Sequence, residues 1–179
     1  MEDIKIIGDK IRLRPLKKED LSNRVRWFND PDINKTLFLE ENLQLDKTLE
    51  WFDKAKNDDS RMDFAIDSLD GEPIGMAGLA NINRTHRTAE CYCIIGQRKF
   101  WGKGIATEVH SLLFELAFEK IGIEKIWADI NPENIAILKV VERLGFKSEG
   151  LLRKDRIIGG RRVDVLRIGL LREEFKKQK

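Results

Sequence analysis

The sequence predicts a mixed α/β domain, a mostly antiparallel sheet of about seven strands flanked by about four helices. Three strand-like segments follow one another between Asp63 and Gly96, with turn residues between them. Two long stretches with helical apolar spacing come later, each placed beside a strand. The resulting order, β-α-α-β-β-β-α-β-α-β-β, puts a run of strands before its strand–helix–strand unit, which argues against a purely doubly wound sheet. A length of 179 residues suits one domain over 1–179, able to bury roughly 70% of its unfolded surface.

Each element has a local cause. IRLRPL (Ile11 to Leu16) alternates like a strand, and Pro15 marks its end or an edge. KKEDLSNRVRWFN puts Leu21, Val25 and Phe28 on one helical stripe, stopped at Asp30–Pro31. A second helix is expected from Asp46 to Lys56, after a looser acidic segment around Glu40 and Glu41. Residues Asp63 to Asp67 alternate, the turn Asp70 to Pro73 follows, and strands are expected at Ile74 to Ile82 and Arg87 to Gly96. From Gly104 to Lys120, Ala106, Val109, Leu113, Leu116 and Ala117 form an apolar helical stripe. EKIWADI reads as a strand, IAILKVVERLGF as a helix ending at Gly145, and Phe146 to Leu151 and Arg162 to Leu170 as two closing strands.

Composition narrows the function classes. Hydrophobic residues at 41% and charged residues at 36% fit a folded globular chain. No apolar run approaches the roughly 20 residues of a membrane span, and MEDIKIIGDK lacks a signal-peptide core, so a cytoplasmic location is expected. The net charge of +2 is too small to attract nucleic acid by bulk electrostatics. Cys91 and Cys93, with His86 and His110, match no metal-ligand spacing, so no metal is expected and the thiols read as reduced core residues. The basic stretches Arg153 to Arg156 and Arg161–Arg162 read either as solvated, locally paired charge or as contact with an anionic ligand.

The most informative segment is IIGQRKFWGKGIATE, residues 94 to 108, where a strand runs into Gly102-x-Gly104 and a helix opens at once. Glycines permit positive φ and close approach of a ligand to the backbone. The amides of the first helical turn then point along the positive end of the helix dipole, which favours a pyrophosphate. Lys99 and Lys103 add charge, and Thr107 a hydroxyl. The dinucleotide fingerprint fails because Thr107 stands where a third Gly or Ala belongs, and the Lys-Ser/Thr of a P-loop is absent. A plain glycine turn remains an alternative on this segment alone.

KFWGKGIATE resembles the acetyl-CoA loop of the GCN5-related N-acetyltransferase (GNAT) superfamily, [Q/R]-x-x-G-x-[G/A], with Lys99 in the first position. NPENIAILKVVERLGF resembles the second signature, with Asn134 eleven residues before Gly145–Phe146. The Ala89–Glu90 pair ahead of the loop is similar to that of the RimJ/RimL-type branch, and the likeness runs from Arg12 nearly to the end of the chain. The resemblance implies the GNAT fold, whose sheet splays in the middle, between the strand ending near Ile95 and IWADI. Acetyl-CoA would lie in that gap, its pyrophosphate on the amides of Trp101, Gly102, Lys103, Gly104, Ile105 and Ala106. Its pantetheine would pair with backbone near Ile94 and Ile95, and Asn134 would bond it from the other side. Two bland readings stand beside these: Trp101 packing the loop, and Asn134 capping its helix.

For the transfer itself, an amine must lose its proton before it attacks a thioester. At pH 7 this costs about 4.6 kcal/mol for a lysine-like amine and about 1–1.4 kcal/mol for an α-amine. A carboxylate near the amine serves as base, and the match places Glu90 there; the alternative is a surface ion pair with Arg87 or Arg98. A backbone N–H at a bulge of the splayed strand would stabilise the oxyanion. Tyr92 reads equally as pocket lining or as core. Relatives' usual tyrosine acid is replaced by Val141, and a serine used elsewhere by Ile137, so the general acid is unassigned.

INRTHRTAE and the Glu40–Glu41 pair resemble spermidine/spermine N-acetyltransferases, whereas LDKTLEWF and the tail resemble amino-sugar and RimJ/RimL-type enzymes. The acceptor expected is a small-molecule amine, amino sugar or polyamine; the alternatives are a protein N-terminus or a non-catalytic acyl-CoA-binding domain. A homodimer is plausible by resemblance.

Overall fold

A computed structural model describes residues 4–38 and 42–176; the Glu40–Glu41 pair lies outside the described residues. Eight strands form one sheet in the order β1-β2-β3-β4-β5-β6-β8-β7. They are β1 (Ile6–Ile7), β2 (Ile11–Pro15), β3 (Met62–Ser68), β4 (Pro73–Asn83), β5 (Thr88–Ile95), β6 (Lys125–Ile130), β7 (Lys147–Ile158) and β8 (Arg161–Leu171). All neighbours are antiparallel except β5 and β6, so the mixed sheet expected from the strand run is present.

The α-helices are α1 (Leu21–Phe28), α2 (Pro31–Asn34), α3 (Leu45–Ala55), α4 (Ile105–Glu115) and α5 (Ile135–Arg143). They divide between the two faces. Ile105, Val109, Leu113, Phe114 and Val141 of α4 and α5 join the larger core with Ala89, Cys91 and Ile126. Leu21, Trp27, Phe28 and Ile33 pack on the opposite face against Ala65, Met76 and Ile94, with Leu49 and Phe52 of α3 alongside. Even-numbered residues of β5 therefore look toward α1, and odd-numbered ones toward α4.

The differences from expectation have local reasons. Asp30–Pro31 ends α1 but also starts α2: Asp30 accepts a hydrogen bond from the Asp32 N–H at 2.9 Å, and Pro31 takes the first helical position. β7 continues past Leu151 to Ile158 because Gly159 and Gly160, at φ +55° and +75°, close a two-residue hairpin into β8. The two-residue β1 adds an eighth strand. Much of the Arg153 to Arg162 stretch is thus strand, and Arg156 is ion-paired to Asp129 and Asp155.

Arg14 on β2 fixes α1 over its face. It donates to Asp20, at the entry to α1, at 2.7 and 2.8 Å, and to the buried Asp67 of β3 at 2.8 Å. Among the described residues no helix is long and apolar enough to cross a membrane, and no group of three or more His, Cys, Asp or Glu is placed to hold a metal.

Candidate active site

β5 and β6 pair only through Thr88–Lys125, Ala89–Ile126 and Glu90–Trp127. Beyond Glu90 the strands part: β5 runs on to Ile95 against β4, and β6 to Ile130 against β8. The sheet opens at Glu90.

The Gly96 N–H donates to the Ile74 carbonyl at 2.9 Å, and in an antiparallel ladder bonded positions alternate. Ile94, Tyr92 and Glu90 therefore spend their backbone groups on β4, while those of Cys91, Cys93 and Ile95 face the gap. Cys93 and the Ile95 N–H, rather than Ile94, are open to an added strand, the Ile95 carbonyl being taken by the Trp101 indole. The anticipated bulge is not on this stretch of β5, whose register against β4 is unbroken from Glu90 to Ile95. It falls on β4 between Ala80 and Asn83, where Asn81 takes φ +48°.

At the mouth of the gap, Gly102 and Gly104 adopt φ +72° and +78°, and Gly104 begins α4 with no side-chain cap. The Glu108 N–H is the first to bond back, to the Gly104 carbonyl at 3.1 Å, which leaves the first-turn amides of Ile105, Ala106 and Thr107 free of intrahelical partners. A side chain at Gly102 would meet nothing within 4 Å, so its outer side is open. Ile105 is buried and anchors the turn. The Trp101 indole N–H donates to the Ile95 carbonyl at 2.8 Å, pinning the loop to the end of β5. Lys99 is committed to Glu72 at 2.6 Å, whereas the Lys103 carbonyl accepts from the Lys10 ammonium at 3.1 Å, which adds a cation from a distant part of the chain. Across the gap, Asn134 caps α5 by accepting from the Ile137 N–H at 3.2 Å, leaving its amide Nδ2 to donate elsewhere.

Neither arginine proposed for the surface pair touches Glu90: Arg87 pairs with Glu124, and Arg98 with Asp30 and Asp32. The half-buried Glu90 instead accepts from Asn81 Nδ2 at 2.6 Å. Burial raises its carboxyl above the ordinary glutamate range, the Asn81 bond opposes that, and the charge of Asp129 adds to it. Tyr92, on the same face, donates its hydroxyl to Asp63. Val141 lies in the core.

The acetyltransferase (GNAT) domain family matches residues 10–147 of this chain. The chain belongs to that family. As a GNAT acetyltransferase it takes its acyl group from acetyl-CoA. Spermidine N(1)-acetyltransferase of Escherichia coli (strain K12) is 28% identical over 165 residues, covering 92% of this acetyltransferase and 88% of its relative. The uncharacterised N-acetyltransferase p20 of Bacillus licheniformis is 27% identical over 172 residues, covering 93% and 96%. Spermidine N-acetyltransferase from Vibrio cholerae, in a crystal structure with CoA and spermine, superimposes with a TM-score of 0.87 at 28% identity, over 93% of this chain and 98% of that one.

The acetyltransferase carries further polar residues near Glu90 that no motif announced. Asp129 of β6 is nearly buried and paired with Arg167 and Arg156, and the Arg167 guanidinium stands 4.1 Å over Trp127. Alternation on β6 could have placed Trp127 and Asp129 on one face; the arginine partners of Asp129 lie 27 and 38 residues away. A surface hollow lined by Glu119, Glu124, Arg172 and Phe175 lies at the opposite end of β6 and touches none of these groups. Cys91 and Cys93 are free, and burial pushes the Cys93 thiol up to about 12, leaving it inert at neutral pH.

Proposed function

We propose that this acetyltransferase, as a single domain over 1–179, acetylates the primary amine of a small molecule, with Glu90 taking the amine proton. The observation that carries the reading is the position of Glu90 at the fork, where β5 and β6 stop pairing, with no cation bonded to it among the described residues. Acetyl-CoA supplies the activated acyl group. Support for its seat comes from the two left-handed glycines, the free first-turn amides and the outward-facing backbone of Cys93 and Ile95. Ile94 backs that strand from the core side, and Lys10, Lys103 and Thr107 border the loop. Asn134 contributes an amide donor opposite. A carboxyl raised by burial suits a general base better than an ordinary glutamate, because its proton affinity lies nearer that of the amine.

The names of the spermidine acetyltransferase relatives support a polyamine as acceptor, and an amino sugar belongs to the same class of small amines. Thiol release from acetyl-CoA, followed against polyamines, amino sugars, amino acids and N-terminal peptides, tests the reading. Turnover on small amines is expected. Turnover confined to peptides would move the acceptor to a protein N-terminus, and tight acetyl-CoA binding without turnover would mark a non-catalytic binder.

A cytoplasmic site of action belongs to this reading, where acetyl-CoA and reduced thiols coexist. So does a homodimer. Its support is the outermost strand β7, where Leu151, Leu152 and Ile157 are exposed. Register shifts on β7 oppose edge-to-edge pairing, so the contact expected is face to face. Sedimentation should give twice the chain mass, and Leu151→Lys should shift it toward one; a monomeric wild type would end the idea.

A further inference from the structure

Arg24 sits on α1, the helix covering the sheet face that carries Glu90 and Tyr92. Its guanidinium lies 4.2 Å from the Phe28 ring centroid and 4.2 Å from that of Trp51 on α3. A second guanidinium, Arg61, stands 4.9 Å from the same Trp51 ring. Among the described residues one carboxylate, Asp63, serves this cluster, and it is already engaged. Arg61 donates to it at 2.6 and 2.8 Å, and the Tyr92 hydroxyl donates to it as well. Gly78 lets Tyr92 reach across β4, since a side chain there would stand 2.8 Å from the tyrosine ring.

Arg24 is left over. Its Nε is shielded from solvent and donates to nothing in the structure. Burial pulls its pKa down, the response of a cation short of counter-charge. By contrast, the arginines on the other flank of Glu90 both hold Asp129. If stacking between Phe28 and Trp51 were its whole purpose, an apolar side chain would do it without the desolvation cost of a charge. Along the strand, Tyr92 is one repeat from Glu90, about 7 Å on the same face. A short carbon skeleton spans that separation.

We propose that Arg24 binds the anionic group, a carboxylate or a phosphate, of an acceptor whose amine is placed at Glu90. The proposal rests on the reading of this sheet face as the acceptor side. It selects, among small amines, those carrying an acid.

Two measurements test it. The first needs no turnover: the melting temperature of the protein is followed with inorganic phosphate and with acetate at constant ionic strength. With the loop site saturated by CoA throughout, wild type should be stabilised by one or both, Arg24→Met by neither, and Arg24→Lys partly. The second compares matched amines in the transfer assay: β-alanine with β-alaninamide, 2-aminoethyl phosphate with ethanolamine, and spermidine as a polycation without an anion. The acid-bearing member should be favoured in kcat/KM by about tenfold or more, the worth of one charge-assisted hydrogen bond. Arg24→Met should collapse that ratio through KM, and Arg24→Lys should retain part of it, which also guards against a misfolded variant. The pair with the larger ratio tells carboxylate from phosphate. Anion stabilisation lost in Arg24→Met without acetylation of any amine would keep the site and discard the acceptor reading. Acetylation with equal ratios in wild type and both variants, or a preference for spermidine that Arg24→Met leaves alone, would overturn the site.

Discussion

Replacing Glu90 with glutamine should lower kcat by about 10²–10⁴-fold while leaving acetyl-CoA affinity nearly as it was. Glutamine keeps the size and still accepts from Asn81 Nδ2, so the change removes a proton acceptor and little else. The pH profile separates this role from a structural one. Wild-type activity rises as the Glu90 carboxyl loses its proton, and because burial raises that carboxyl, the rise lies above the ordinary glutamate range. Deprotonation of the free amine adds a second rise at higher pH. The variant should lose the first and keep the second; a variant that keeps both removes Glu90 from the chemistry. Stability should move the other way. A carboxyl whose proton is held more tightly in the folded state stabilises at low pH, and this is lost as pH rises through its folded pKa. Glutamine has no such loss, so at pH 8 the variant should melt no lower than wild type.

Valine at Gly102 should weaken acetyl-CoA binding at least about tenfold, the worth of one hydrogen bond to a charged group at roughly 1.5–3 kcal/mol. The loop holds φ +72° there, which costs a side-chain-bearing residue about 1–2 kcal/mol, and the added atoms would occupy the open space outside the loop. A stability loss alone could imitate poor binding, so Gly122→Val is the control. Gly122 holds φ +80° and also has nothing within 4 Å of an added side chain, but it closes the helical turns Leu116–Ile121 that continue α4, at the end away from the glycine loop. Both variants should melt lower by similar amounts, and Gly102→Val alone should show weakened acetyl-CoA binding in calorimetry. Equal affinity in the two would remove the loop from the binding site.

How much of this was legible depends on sequence distance. Gly102, Gly104 and the start of α4 are local, because positive φ and a helix start leave marks within a few residues. The sorting of β5 side chains between two faces was legible as alternation, and Glu90 and Tyr92 do share one. The outward-facing backbone of Cys93 and Ile95 was not, since it depends on which rung of the β4 ladder bonds. The extension of β7 was written in Gly159–Gly160, a two-residue hairpin signal. Lys10, Asp129 with its arginines, and the Arg24–Trp51–Arg61–Asp63 cluster were out of reach. Each joins residues from separate elements, and only the folded packing of α1, α3 and the sheet brings them together.

The parting of β5 from β6 also bears on how the molecule coheres. A sheet is usually strongest at its middle, where every rung is matched; here the middle is where rungs run out. Main-chain N–H and C=O groups lining such a seam must be met by solvent or by a guest. A pantetheine arm, itself a chain of amides, can supply the missing rungs, so the coenzyme would act as a temporary ninth strand that laces two half-sheets into one.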